Sequence, residues 1–235
     1  MAAITELGTR DIDTTAGNDT VTATPAVNDL IVVVQVSSNS AATGHNITDD
    51  QAGGTYTQIA LAQESTNGKR LRMWVRNSLI ASAVSTVFTS TISGDSGGGL
   101  GVFKVTGMSK VGLNAIRQSA IQDEQAASTT PAPVFGSAVL TTNPVLGCVM
   151  NGTNPATLTP RSSPAYTERF DVGYINPTIG VEVMSIDSGE TATTITWGST
   201  SASTYCDMVI ELDSSAATGI PWHARRKVQR RSDLW

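Results

Sequence analysis

The sequence predicts an all-β protein, an antiparallel β-sandwich or barrel, and three observations carry that expectation. The stretch Lys69-Arg-Leu-Arg-Met-Trp-Val-Arg-Asn77 alternates, with Leu71, Met73 and Val75 on one side and Arg70, Arg72, Trp74 and Arg76 on the other. A period of two marks a strand with one face toward a core and one face outside. About ten to twelve short runs rich in Val, Ile and Thr are separated by Gly-, Asn-, Ser- and Pro-bearing turns, the texture of sandwiches and barrels. No stretch combines a helical period with good caps, so no helix of ordinary length is expected.

Taken in order, residues 1–18 show little periodicity and read as an N-terminal arm. Thr20-Val-Thr-Ala-Thr24 is a short strand closed by Pro25. Asp29-Leu-Ile-Val-Val-Val-Gln-Val36 is a nearly continuous apolar run of β-branched residues, the pattern of a central, well-buried strand. Residues 37–54 read as a loop, and 56–64 as a strand joined to 69–77 through Asn67-Gly68, a turn pair that tolerates positive φ. Strands follow at 84–92 and 100–106, joined by a glycine-rich turn, and 115–122 reads as extended. Residues 123–133 carry two prolines and read as loop; further strands are expected at 134–141, 145–150, 166–172, 179–186, 192–197 and 204–212. The pattern stops at Asp213, which divides the chain into an arm (1–18), a sandwich domain (19–213) and a basic tail (214–235).

A chain of 235 residues can bury a full core. Its formal charge of −5 is unevenly spread. Arg225, Arg226, Lys227, Arg230 and Arg231 stand against Asp233 in the tail, a net +4, which leaves −9 on the rest of the chain. An acidic body with a basic tail points to different partners for the two. Two cysteines are too few for a disulfide scaffold. The start, Met-Ala-Ala-Ile-Thr-Glu-Leu-Gly, lacks the basic and apolar regions of a secretory leader, so no export signal is expected. No apolar run approaches the ~18 residues of a membrane span.

Gly94-Asp-Ser-Gly-Gly98 matches the pentapeptide around the nucleophile of chymotrypsin-like serine proteases. The preceding histidine, His45, lies only 51 residues before Ser96, too close to hold most of a barrel between them. The flanking strands explain the glycines as a hairpin turn, and no catalytic residue is assigned. Loop carboxylates at Asp49, Asp50, Asp95, Asp187 and Glu190 could offer oxygens to calcium, but ordinary turn chemistry accounts for them, so neither metal nor cofactor is expected. Cys148 is in phase with Leu146 and Met150, and Cys206 with Met208, Ile210 and Leu212, which predicts two core thiols.

The stripe Arg70, Arg72, Trp74 and Arg76 reads first as a solvated sheet face pairing with Gln63 or Glu64. It reads next as a protein contact, since Trp and Arg concentrate at interface centres, and last as a sugar or nucleic-acid site. The basic tail, with Trp222 and Trp235 as anchors around Arg225, Arg226, Lys227, Arg230 and Arg231, is expected to dock on an acidic protein surface in preference to nucleic acid.

Several stretches resemble a group of jelly-roll-like β-sandwich proteins of tailed bacteriophages and bacterial surfaces. They are Asp29-Leu-Ile-Val-Val-Val, Thr48-Asp-Asp-Gln-Ala-Gly-Gly-Thr-Tyr-Thr57, Arg72-Met-Trp-Val-Arg76, Val102-Phe-Lys-Val-Thr-Gly-Met108 and Thr194-Ile-Thr-Trp197, covering roughly residues 19–213. The resemblance implies a jelly-roll-like sandwich used for display, adhesion or shell reinforcement, with no shared active site. The expectation is a non-enzymatic virion protein, assembled in the host cytoplasm, that decorates a phage head. Its partners would be the major capsid protein and copies of itself, with no membrane. The alternative is a glycan-binding or adhesion module on a tail fibre or capsid surface, with Trp74, Tyr56 or Trp197 exposed in a groove.

Overall fold

The strand Leu30–Ser37 has no exposed residue, and the architecture follows from that fact. The computed structural model describes residues 1–10, 18–37, 43–64, 69–93, 98–128, 131–152, 158–175, 178–198 and 203–215. The described strands are β1 Ala3–Arg10, β2 Asp19–Ala23, β3 Leu30–Ser37, β4 Thr43–Asp49, β5 Tyr56–Glu64, β6 Lys69–Arg76, β7 Thr86–Ser93, β8 Gly98–Thr106, β9 Ile116–Ser128, β10 Val145–Asn151, β11 Thr167–Ile175, β12 Thr178–Ile186 and β13 Ser203–Leu212. One 3-10 turn, Gly112–Ala115, precedes β9. The protein is all-β, and every pairing among the described strands is antiparallel.

A central sheet, β1-β8-β3-β6-β5, is covered on both faces. One face packs on the C-terminal sheet, β11-β12-β10-β13-β9, through Val32, Val34, Leu71, Met73 and Val75 on one side and Cys148, Val181, Val183, Met208 and Ile210 on the other. The opposite face packs on a small sheet, β2-β7-β4, through Ile31, Val33, Trp74, Leu100 and Val102 against Val21, Ile47 and Phe88. Successive side chains of β3 therefore enter different cores, which explains its unbroken apolar run. The inward placement of Leu71, Met73 and Val75 agrees with the sequence.

Several expectations are corrected. The N-terminal arm contains a strand: β1 pairs with β8 from Ala3↔Thr106 to Arg10↔Leu100, and Ile4 is buried. A bulge between Glu6 and Gly8 interrupts its alternation; Ile4 joins one core and Leu7 the other. Gly8 allows the close approach of β2, since a Cβ there would stand 2.9 Å from Val21 Cγ1. The expected loop 37–54 contains β4, whose one large apolar residue, Ile47, is buried. The expected loop after residue 122 begins as strand, because β9 continues to Ser128.

The expected strands 134–141 and 192–197 are instead irregular segments that pair with each other over the outer face of the C-terminal sheet. Phe135 N donates to Thr193 O (2.8 Å) and Ile195 N to Pro133 O (3.1 Å), which brings Phe135, Val139, Ile195 and Trp197 into one buried cluster with Val149 and Val209. Pro131 and Pro133 lack the N–H a regular ladder needs. The Asn67-Gly68 turn lies outside the described residues, although β5 and β6 pair antiparallel as expected, from Tyr56↔Arg76 to Glu64↔Lys69.

The glycine-rich segment after β7 does not close a hairpin. β7 belongs to the small sheet and β8 to the central one, so the connection crosses between layers. Asp95 and Ser96 lie outside the described residues. Gly98 opens β8 where a Cβ would meet the Val36 carbonyl oxygen at 2.7 Å, so its role is close backbone approach.

Candidate metal centre and the fate of the arginine stripe

The stripe on β6 is not a solvated face. The small sheet covers it, and Arg72, Trp74 and Arg76 are buried, with Arg70 half-buried. Trp74 Nε1 donates to Gln35 Oε1 (3.2 Å), and Gln35 Nε2 donates to Ser90 Oγ (2.7 Å), a polar chain linking β6, β3 and β7. Arg76 Nε donates to Asp49 Oδ2 (2.7 Å) with neither side chain exposed, and Nη1 donates to the carbonyls of Ser78 (3.0 Å) and Leu79 (2.9 Å). Tyr56 donates to the same Asp49 oxygen (2.8 Å). Burial foremost, and then the Asp49 charge, raise the Tyr56 phenol above its ordinary range. These groups join the β4–β5 turn to the end of β6. The open contact surface expected at Arg72, Trp74 and Arg76 is thereby corrected.

The tail residues Trp222, Arg225, Arg226, Lys227, Arg230, Arg231 and Trp235 lie outside the described residues. The chain that leads to them is fixed. Asp213 N donates to Ala115 O (2.8 Å), Ser214 Oγ to Asn143 Oδ1 (2.8 Å) and Lys110 Nζ to Ser215 Oγ (2.7 Å), with a further Lys110–Asp213 ion pair.

The loop carboxylates considered from sequence do not converge. Asp49 holds Arg76, Asp50 accepts from Val87 N (3.0 Å), and Asp187 accepts from Ile4 N (2.7 Å). Glu190 accepts from Tyr166 Oη (3.0 Å) and from the backbone N–H groups of Thr191 (2.9 Å) and Ala192 (2.8 Å). Both cysteines are buried thiols, as expected. Cys148 stands opposite Met208, and Cys206 opposite Met150. The two are therefore diagonal neighbours, roughly 7 Å apart in such a ladder, beyond the reach of a disulfide.

Another carboxylate group does converge. Glu168 and Asp171 on β11 and Glu182 on β12 each offer an oxygen, and the three atoms lie within 4.8 Å of one another. Residues three apart on a regular strand point to opposite faces. Here β11 carries a bulge between Glu168 and Phe170, so that Glu168 stands opposite Met184 and Asp171 opposite Glu182. Met184 packs on the outer face of the C-terminal sheet, while Phe170 packs in the core between the sheets. The extra residue thus brings Glu168 to the outer face beside Asp171 and Glu182.

Glu182 is fully buried, and neither carboxylate oxygen has a hydrogen-bond partner among the described residues. Burial first, then Asp171 and Glu168, push its carboxyl up to about 8. Burial and Glu168 push Asp171 up to about 6, against the opposing effect of the Leu158 backbone. Asp207, farther along the same row and separated from Glu182 by Val149, is pushed up to about 8 by its own burial.

Buried Glu211 contrasts with this group. Glu211 pairs with Arg117 and accepts from Gln118 Nε2 (2.5 Å), Asn143 Nδ2 (2.7 Å) and Leu140 N (3.0 Å). Asp171 and Glu182 fall within the strands expected at 166–172 and 179–186, but the sequence singled out neither. It did not show the bulge that adds Glu168.

Comparison of the chain with protein-family models, with curated proteins and with solved structures found no match.

Proposed function

We propose that this protein is a non-enzymatic structural component of a virion, a capsid-decoration protein of the tailed-phage type that binds the major capsid protein and copies of itself. The observation that carries this reading is the separation of charge along a chain with a fixed departure point. A body of net −9 ends at residues 213–215, which are hydrogen-bonded to the sandwich, and the following segment carries +4 with Trp222 and Trp235. Such a segment complements an acidic surface, including that of an identical copy, and several copies bound at once gain avidity. The strand order β1-β8-β3-β6 over β2-β7-β4 supports the jelly-roll reading. With β1 in the central sheet, the contact with neighbouring copies falls to the C-terminal segment.

The test is a chain ending at Ser215, assayed by co-sedimentation with shells that lack this protein. The expected result is a sandwich with unchanged circular dichroism that no longer sediments with the shell. Equal sedimentation of truncated and full chains would remove the C-terminal segment from the mechanism. The glycan alternative loses its aromatic platform, because Trp74 and Trp197 are buried in apolar clusters and the Tyr56 hydroxyl is engaged by Asp49.

A further inference from the structure

We infer that Glu168, Asp171 and Glu182 form a binding site for one calcium-class divalent cation, bridging β11 and β12 on the outer face of the C-terminal sheet. The inference is independent of the virion reading. Three carboxylate oxygens within 4.8 Å of one another match the geometry around a hard cation. Oxygens at roughly 2.3–2.6 Å from calcium can stand up to roughly 5 Å apart, and water completes the coordination. The three donors grade from exposed Glu168 through half-buried Asp171 to buried Glu182, so an ion can enter from solvent.

Acidic groups gather on many surfaces without an ion, and Glu182 sets this one apart. Its two oxygens are buried with no donor among the described residues. Its neighbour across β10 is apolar Val149. The nearest basic residue in sequence, Arg169, is occupied elsewhere: its Nε donates to Ser185 Oγ (2.7 Å). Leaving a buried carboxylate without a partner is costly. The fold avoids that cost at Asp49, Glu190 and Glu211 by supplying donors. At Glu182 it supplies two more carboxylates, which oppose ionisation unless a cation sits among them.

The test uses the full chain, freed of metal with a chelator, in calorimetric titrations with calcium chloride and with magnesium chloride and in thermal melts with each salt. The expected result is one calcium per chain and a higher melting temperature in millimolar calcium. Glu182→Gln should abolish the calcium effect. Glu168→Gln, at an exposed position that leaves the core untouched, should weaken it by about tenfold or more through loss of a charged ligand. Absence of calcium heat and of a melting shift overturns the site, as does unchanged calcium binding by Glu168→Gln. An equal response to magnesium overturns the calcium preference.

Discussion

Arg76 and Asp49 form an ion pair with no exposed side-chain surface, Nε to Oδ2 at 2.7 Å and Nη2 to Oδ1 at 3.3 Å. The remaining guanidinium hydrogens go to the Ser78 and Leu79 carbonyls, the Ser78 hydroxyl and the Ala52 carbonyl, and the Tyr56 hydroxyl completes Asp49. A desolvated pair of this kind owes its geometry to the network around it. It acts as a clamp between the small and central sheets.

Removing one partner leaves the other charge buried. Asp49→Ala is expected to destabilise the fold by about 3–5 kcal/mol, read as a lower urea midpoint. Combining it with Arg76→Met should recover a large part of the loss, since the orphaned charge goes as well. A double variant no more stable than Asp49→Ala would show that the pair serves as more than mutual neutralisation.

The strand β1 makes a prediction that an arm would not. Ile4 is buried in the core between the two large sheets, so Ile4→Ala should cost about 2–5 kcal/mol. Chemical denaturation of the single variant measures it. A loss of a few tenths would mean that β1 contributes little to the core.

The raised carboxyls set the sign of a pH dependence. Glu182 and Asp207 titrate near 8 in the folded protein, against ordinary values of about 4 in the unfolded chain. Between those limits the folded state binds more protons, so these groups' contribution to stability is greatest below about pH 4 and is lost as pH rises through 8. Metal-free protein should therefore lose stability from pH 5 to pH 8. Glu182→Gln should flatten that slope, and saturating calcium should flatten it as well. Melting temperatures across this range, with and without calcium, provide the measurement; a slope unchanged by Glu182→Gln would assign it to other groups.

Much of the layering was legible because alternation records burial directly. The run Leu-Ile-Val-Val-Val in β3 showed a central, well-buried strand, and Leu71, Met73 and Val75 showed the side of β6 that faces a core. Strands with few apolar residues were not legible. Ile47 alone marks β4, and the bulge in β1 breaks the phase that would have revealed it. Alternation also misled at 134–141 and 192–197, where the buried side chains follow a strand-like pattern but the prolines prevent a regular ladder.

By itself the sequence determined the all-β class, the inward face of β6, the buried thiols and the separation of an acidic body from a basic C-terminal segment. Each of these follows from local period or from charge order along the chain. Only the tertiary structure decided the environment of the charged groups. The β6 arginines and Trp74 have the alternation of a solvated face, yet a third layer built from β2, β7 and β4 takes them into a second core, where they must find partners within the chain. Glu168 has the phase of an inward residue, yet one extra residue in β11 turns it outward to join Asp171 and Glu182. Both outcomes depend on which strands stack and where register slips, and those are relations between segments distant in sequence.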